Sequence, residues 1–198
     1  MIAEEWRQPT VTRSLIYSMG VSLDGFIAGS DGEIDWSAPD EELHRFHNQL
    51  TRETGVHLYG RRLYKTMTYW ETAEQNPSAR DYELEFARIW RETPKIVFSS
   101  TLEKVEGNAT LARGEAAAEV AKLKQQPGGD LAVGGAGLAS ALMRHGLIDE
   151  YRLFVSPVVL GAGTRYFPAL EERIDLELTE TRTFGSRVLY SRYRQAQR

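Results

Sequence analysis

Gly134-Gly135-Ala136-Gly137-Leu138 is the stretch whose residue types most directly suggest chemistry. It follows a short apolar run, Leu131-Ala132-Val133, and precedes a helical pattern with Leu138 and Leu142 on one face and Gly146 as its stop. Strand, glycine turn and helix in that order let backbone N–H groups approach a phosphate, and the helix N-terminus adds a partial positive charge. A plain tight turn has the same pattern, and short glycine motifs match by chance. Two further strand ends add to the signal. The strand over Val56–Tyr59 runs into Gly60-Arg61-Arg62, and the strand from Lys95 closes on Ser99-Ser100-Thr101. Arginine offers a planar fork of donors suited to a ribose 2′-phosphate. A cation at a helix start is mildly unfavourable, so adjacent Arg61 and Arg62 suggest an anion for them to meet, against the alternative of a solvated helix start. Ligands of open α/β sheets bind beyond the carboxyl ends of the strands. Two helix starts, two arginines and two hydroxyls at that edge make a cradle for a phosphorylated nucleotide.

Other constellations carry less. Asp31, Glu33, Asp35 and Glu42 have the spacing of a calcium loop, but Trp36 stands where its sharp turn needs Gly. His44 and His47 lie on one helix without the HExxH pattern of a zinc site. A Rossmann reading of Gly135-Ala136-Gly137 fails because Ser140 replaces the third small residue and Asp149 begins a strand. The residues therefore indicate no metal.

The elements that must position these groups follow from periodicity. Ser14–Met19 is a strand, and Asp24-Gly25 a turn, after which Phe26-Ile27-Ala28 resumes extended chain. A helix starts at about Asp40, with Asp40, Glu41 and Glu42 in its first turn and Leu43, Phe46, His47 and Leu50 as its stripe. Further helices are expected after Arg62, over Tyr82–Arg91, over Gly114–Gln126 and after Gly137. Asp149–Val155 is a strand, and Ile174–Arg182 with Val188–Arg194 form a hairpin around Phe184-Gly185-Ser186. Strand–helix alternation with late strands implies an α/β domain: a mostly parallel central sheet, helices on both faces, and antiparallel strands at the C-terminal end. Residues 1–13 read as a leader and residues 14–198 as one domain. The chain has 198 residues, a net charge of −4 and no cysteine. There is no basic field to favour nucleic acid, no disulfide and no thiolate nucleophile. No apolar run is long enough for a membrane span, and the cytoplasm is the default compartment.

Taken together, Ser22-Leu23-Asp24-Gly25-Phe26-Ile27-Ala28, Gly60-Arg61-Arg62, Ser99-Ser100, Gly134-Gly135-Ala136-Gly137 and Tyr166-Phe167-Pro168 resemble the dihydrofolate reductase superfamily. Within it, the first motif and the run from Val155 to Phe167 are closer to the reductase domain of the riboflavin-biosynthesis deaminase–reductase. The resemblance implies a three-layer fold and an NADPH-dependent reductase acting on a small planar heterocycle. Gly60, Arg61 and Arg62 would contact the adenosine 2′-phosphate and pyrophosphate, Ser99 and Ser100 the 2′-phosphate end, and Gly134, Gly135, Ala136, Gly137 and Leu138 the pyrophosphate and nicotinamide side. Leu63 departs from the Thr of many relatives. An acid early in the helix after the first loop would serve ring protonation; Glu41 fits the spacing, with Asp40 second, and both equally suit a helix N-terminus. Asp24 would orient the loop over the cofactor or touch the substrate, though as a turn residue it needs neither role, and Trp36, Trp70 and Tyr69 are candidates to stack on the substrate ring, against the alternative of core positions. The arginine that would hold a folate tail is replaced near Thr93, with Arg91 the nearest. Relatives of this kind pair, which implies a homodimer. A non-catalytic protein of the same fold that binds a nucleotide or small ligand is the alternative.

Overall fold

The computed structural model describes residues 12–196. The strands are β1 (Leu15–Ser22), β2 (Phe26–Ala28), β3 (Val56–Gly60), β4 (Lys95–Phe98), β5 (Ala109–Ala112), β6 (Leu131–Gly134), β7 (Glu150–Ser156), β8 (Thr164–Arg165), β9 (Leu176–Thr183) and β10 (Leu189–Gln195). The helices are α1 (Glu41–Arg52), α2 (Arg61–Met67), α3 (Asp81–Glu92), α4 (Ala116–Lys124) and α5 (Ala136–Arg144). Eight strands make one sheet in the order β5-β4-β3-β6-β1-β7-β10-β9. The first six of that order run parallel. β10 is antiparallel to both β7 and β9. β2 and β8 form a separate ribbon. This is the three-layer arrangement expected from the alternation of elements.

β5 is absent from the sequence expectation. Ala109-Thr110-Leu111-Ala112 has a single large apolar residue and lies at the sheet edge, so neither composition nor alternation marks it. The helix expected from Gly114 begins at Ala116, because the Glu115 carboxylate accepts from the N–H groups of Ala117 and Ala118 at 3.0 and 2.7 Å and caps it. α1 is capped in the same way by Asp40, whose Oδ1 accepts from Leu43 N at 2.9 Å. Of the expected leader, residues 1–11 lie outside the described residues. Arg13 is packed against the domain, its N–H donating to Lys124 O and its guanidinium to Gly129 O.

The two faces of the sheet differ in a way that makes the site. Alternate residues of a strand point to opposite sides. Leu15 and Tyr17 of β1, Leu58 of β3 and Leu131 and Val133 of β6 build the main core with α4 and α5. On the other face, under α1 and α3, the central strands present Ser18, Gly20, Ala132 and Gly134. Those residues are too small to fill the space beneath the helices, and a cavity is left there. Its flanks are closed by separate clusters: Leu43, Phe46, Phe154 and Tyr190 at one side, and Tyr59, Tyr64, Trp90 and Val97 at the other. No helix among the described residues is long and apolar enough to cross a membrane.

Candidate active site

β6 lies between β3 and β1, while the chain leaves β3 toward β4 and leaves β6 toward β7. Departure in opposite directions opens a crevice at the carboxyl ends of β3 and β6. A cavity of about 490 Å³ occupies it, lined by Gly60, Arg61 and Arg62 from one side and by Gly134 through Leu138 from the other. No side chain caps α2 or α5. Their first-turn N–H groups are thus left for a ligand at the mouth of the crevice. Gly135 has φ +88°, a conformation that favours glycine, and it delivers the chain from β6 into α5. Gly134 lies under Leu63: a Cβ built on it would be 2.4 Å from Leu63 Cδ2.

Ser99 and Ser100 are not among the residues lining this crevice. They form the turn after β4, where Ser99 Oγ accepts from the N–H groups of Thr101 and Leu102 at 3.2 and 3.0 Å. Arg61 reaches that turn, with Nη1 donating to Thr101 Oγ1 at 3.1 Å. Arg113, just past β5, holds the turn from its other side, donating to Ser100 O at 3.2 Å and Leu102 O at 2.7 Å. Nothing in the sequence singles out Arg113, because its placement depends on the edge strand β5, which has no pattern of its own.

A second cavity, of about 370 Å³, lies between α1, α3 and the small-residue face of the sheet. Trp70 lines it and packs edge-on against Phe86 at 4.6 Å between ring centroids. Three imidazoles also line it, those of His44, His47 and His57. His44 Nδ1 is 3.2 Å from Asn48 Oδ1, and burial lowers its pKa. Burial, with the neighbouring His44, pulls His47 down to about 4. Burial, with the charge of Lys95, pulls His57 down to about 3. All three are therefore neutral near neutral pH. Nothing in the sequence singles out His57, which lies within a strand, and His47 stands there only in the helix stripe and beside His44 as a rejected metal pair.

The remaining expected residues fall elsewhere. Glu41 is exposed and pairs with Arg45 one helical turn on, at 2.9 Å. Asp40 is spent on the α1 cap. Neither lines either cavity, although Pro39, beside Asp40, lines the second. Asp24 is a loop tie rather than a lining residue. Its carboxylate accepts from Ser22 Oγ at 2.7 Å and from the N–H groups of Leu160 and Gly161 at 3.1 and 2.7 Å, bonds that hold its pKa down at about 2. Trp36 sits in a single turn of 3-10 helix, half-buried, with its Nε1 unpartnered, between the lining residues Ile34 and Ser37. Tyr166 is a core anchor: its ring stacks on Tyr17 at 4.2 Å and its hydroxyl donates to Tyr17 O. Of the acidic residues with calcium-loop spacing, Glu42 turns away to Arg182 and Gly185. Arg91 is committed to Glu74 and to Glu71 O.

Comparison with known proteins fits this geometry. The family model of the RibD C-terminal domain matches residues 13–190. The chain belongs to the RibD C-terminal domain family. Its relatives include YyaP of Bacillus subtilis (strain 168), an uncharacterized protein 37% identical over 180 residues, 89% of this chain and 92% of YyaP. Among solved structures, a Shewanella sp. PV-4 protein named for riboflavin biosynthesis superposes with a TM-score of 0.73 at 20% identity, over 93% of this chain and 99% of that one. Dihydrofolate reductase from Enterococcus faecalis, solved with NADP(H), superposes with a TM-score of 0.61 at 16% identity, over 93% of this chain and 97% of that one. At such identities the superpositions show the fold. This RibD C-terminal domain thus has the dihydrofolate reductase-like architecture, with its crevice at the carboxyl edge of the parallel strands and a second cavity beside it.

Proposed function

We propose that the protein is an NADPH-dependent reductase that transfers a hydride to a small planar heterocycle. The observation that carries this reading is the meeting of the two cavities: Met19, Ile34, Leu63 and Gly134 line both. A nucleotide along the first cavity and a ring in the second would touch at that junction, which is the contact hydride transfer needs.

The residues present fit the nucleotide. Gly137 has open space where a side chain would stand, two uncapped helix starts face the crevice, and Arg61 and Arg62 are its only charged lining residues among those described. Bound there, NADPH supplies the hydride. Gly60, Arg61 and Arg62, with the Ser99-Ser100 turn, would hold its 2′-phosphate end, Arg113 bracing the turn. Gly134, Gly135, Ala136, Gly137 and Leu138 would take the pyrophosphate and nicotinamide side. Leu63, in place of a hydroxyl, leaves phosphate contacts to backbone N–H groups. Trp70 would stack against the acceptor ring. Asp40 and Glu41 stand outside the lining, so ring protonation by either requires the acceptor to extend to the start of α1. The exposed edge strand β9 supports a homodimer.

The test is oxidation of NADPH, followed by its absorbance, in the presence of pterins, pyrimidines and related heterocycles. Turnover with one of them, abolished in Arg61→Ala/Arg62→Ala at limiting NADPH, is the expected result. NADPH bound without turnover across the panel would favour the non-catalytic reading, and no NADPH binding would refute both the cofactor and the activity.

A further inference from the structure

We infer that the second cavity takes an uncharged planar heterocycle, one carrying neither a phosphate nor a carboxylate tail, and that His57 is the residue that reads a polar edge of its ring. The inference rests on the proposed function insofar as that cavity is the hydride acceptor's site.

The first ground is the absence of charge. Among the described residues lining the second cavity there is no Asp, Glu, Lys or Arg. Its polar side chains are hydroxyls, imidazoles and the indole of Trp70, and the imidazoles are neutral for the reasons given above. An anionic tail buried there would lose its hydration and gain no counter-charge, which is costly. Neighbouring cations are turned to other partners or to the other cavity. Lys95, beside His57 across the β3–β4 pair, donates to Thr93 O at 2.8 Å and lies 4.1 Å from the Trp90 ring centroid. Arg91 is paired with Glu74. Arg61 and Arg62 line the other cavity.

The second ground is one unsatisfied atom. His57 is 9% exposed, lines the cavity, and its Nε2 has no hydrogen-bond partner. Buried polar nitrogens are paired in the great majority of cases, so this one asks for a partner that the protein does not supply. The ring is held in orientation by stacking on Tyr59, 5.4 Å away and 8° from parallel, and the Tyr59 hydroxyl in turn accepts from Trp90 Nε1 at 3.1 Å. A neutral imidazole presents one donor and one acceptor nitrogen. The N–H and C=O groups on the edge of a pterin or pyrimidine are suitable mates. Trp70, Phe86 and Phe154 supply the walls for such a ring.

Two matched pairs of probes test this by calorimetry near neutral pH: pterin against pterin-6-carboxylate, and 6-methyluracil against orotate. They are titrated into wild type, His57→Phe and His57→Gln, with NADPH titrated separately into each protein. His57→Phe keeps a stackable ring and removes the polar atoms; His57→Gln restores a donor and an acceptor. The expected result is that a neutral member of a pair binds, its carboxylate fails or binds at least about tenfold more weakly, and His57→Phe loses about tenfold while His57→Gln recovers part of the loss. Unchanged NADPH affinity in the variants shows that they are folded. Equal or tighter binding of the carboxylates, unaltered affinity in His57→Phe, or no binding of either neutral probe overturns the inference and leaves NADPH binding standing. Loss of NADPH binding from wild type with His57-dependent binding of a neutral ring does the reverse: the reductase reading falls and this one stands.

Discussion

Gly134→Ala perturbs the junction of the two cavities by a single methyl group. A Cβ at that position lies 2.4 Å from Leu63 Cδ2 and 3.3 Å from Tyr59 Cε1. The first distance is far inside van der Waals contact, so the leucine must leave its position. The second asks Tyr59 to yield by a few tenths of an ångström, and Tyr59 is tied to Trp90. Overpacking of this kind costs about 1–3 kcal/mol. Against it stands the reduced freedom of the unfolded chain, which favours Ala over Gly by about 0.4–1 kcal/mol where the backbone conformation suits both. The backbone at Gly134 is outside the positive-φ region, so that condition holds. The overpacking term is the larger, and the net effect is a destabilisation of about 1–2 kcal/mol. Removing the obstructing atoms should reverse the sign. In a Leu63→Ala background the same Gly134→Ala step becomes neutral or stabilising by up to about 1 kcal/mol. Urea denaturation of wild type, both single variants and the double variant measures this directly, provided the denaturant slope is the same in all four. The same cost for Gly134→Ala in both backgrounds would refute the packing argument and with it the placement of Leu63 over the glycine turn.

Three further expectations concern the scaffold. The Asp24 carboxyl has its pKa lowered from 3.8 to about 2, chiefly by Ser22 and also by the N–H groups of Leu160 and Gly161, with burial opposing. A depressed carboxylate stabilises above its unfolded pKa and loses that contribution as pH falls through the folded one. Asp24→Asn should therefore flatten the acid limb of stability between about pH 4 and pH 2; an unchanged limb in denaturation profiles would count against the loop tie. Glu150 is 3% exposed and accepts from Arg152 at 2.6 Å and Arg192 at 2.7 Å, and although burial raises its pKa those arginines bring it below the ordinary value. Glu150→Ala strands the buried Arg152 and should cost about 3–5 kcal/mol in denaturation, a loss below about 1 kcal/mol contradicting the buried network. Tyr59→Phe leaves Trp90 Nε1 buried without its acceptor and should cost about 1–3 kcal/mol with a change in tryptophan emission; wild-type stability and emission would show that the bond is not made.

Strong periodicity made most of the fold legible. α1, α3, the C-terminal hairpin and the strand–glycine–helix unit at Leu131–Arg144 follow from apolar spacing, caps and stops that act locally. β5 did not, since an edge strand of small residues is defined by its partner β4 rather than by its own pattern. The lining of the crevice was readable because a strand–glycine–helix unit and adjacent arginines at a helix start are local features of the sequence. The second cavity was not. Glu41 and Asp40 were read by spacing within a helix, yet helix phase turns Glu41 outward to Arg45 and the cap occupies Asp40. Ser18, Gly20 and Ala132 create the second cavity by what they lack, and small residues on one strand face carry no chemical signal until neighbouring strands and helices are in place. His57 is informative only as a buried nitrogen without a partner, a property of the tertiary structure.

The measurement that bears most directly on the central claim is calorimetric titration of NADPH and NADH into wild type and Arg61→Ala/Arg62→Ala. Tight NADPH binding, weaker NADH binding and loss of that preference in the double variant are predicted, because the two arginines are the cationic lining of the crevice. Binding of neither nucleotide to wild type, or an undiminished preference for NADPH without the arginines, would contradict the account.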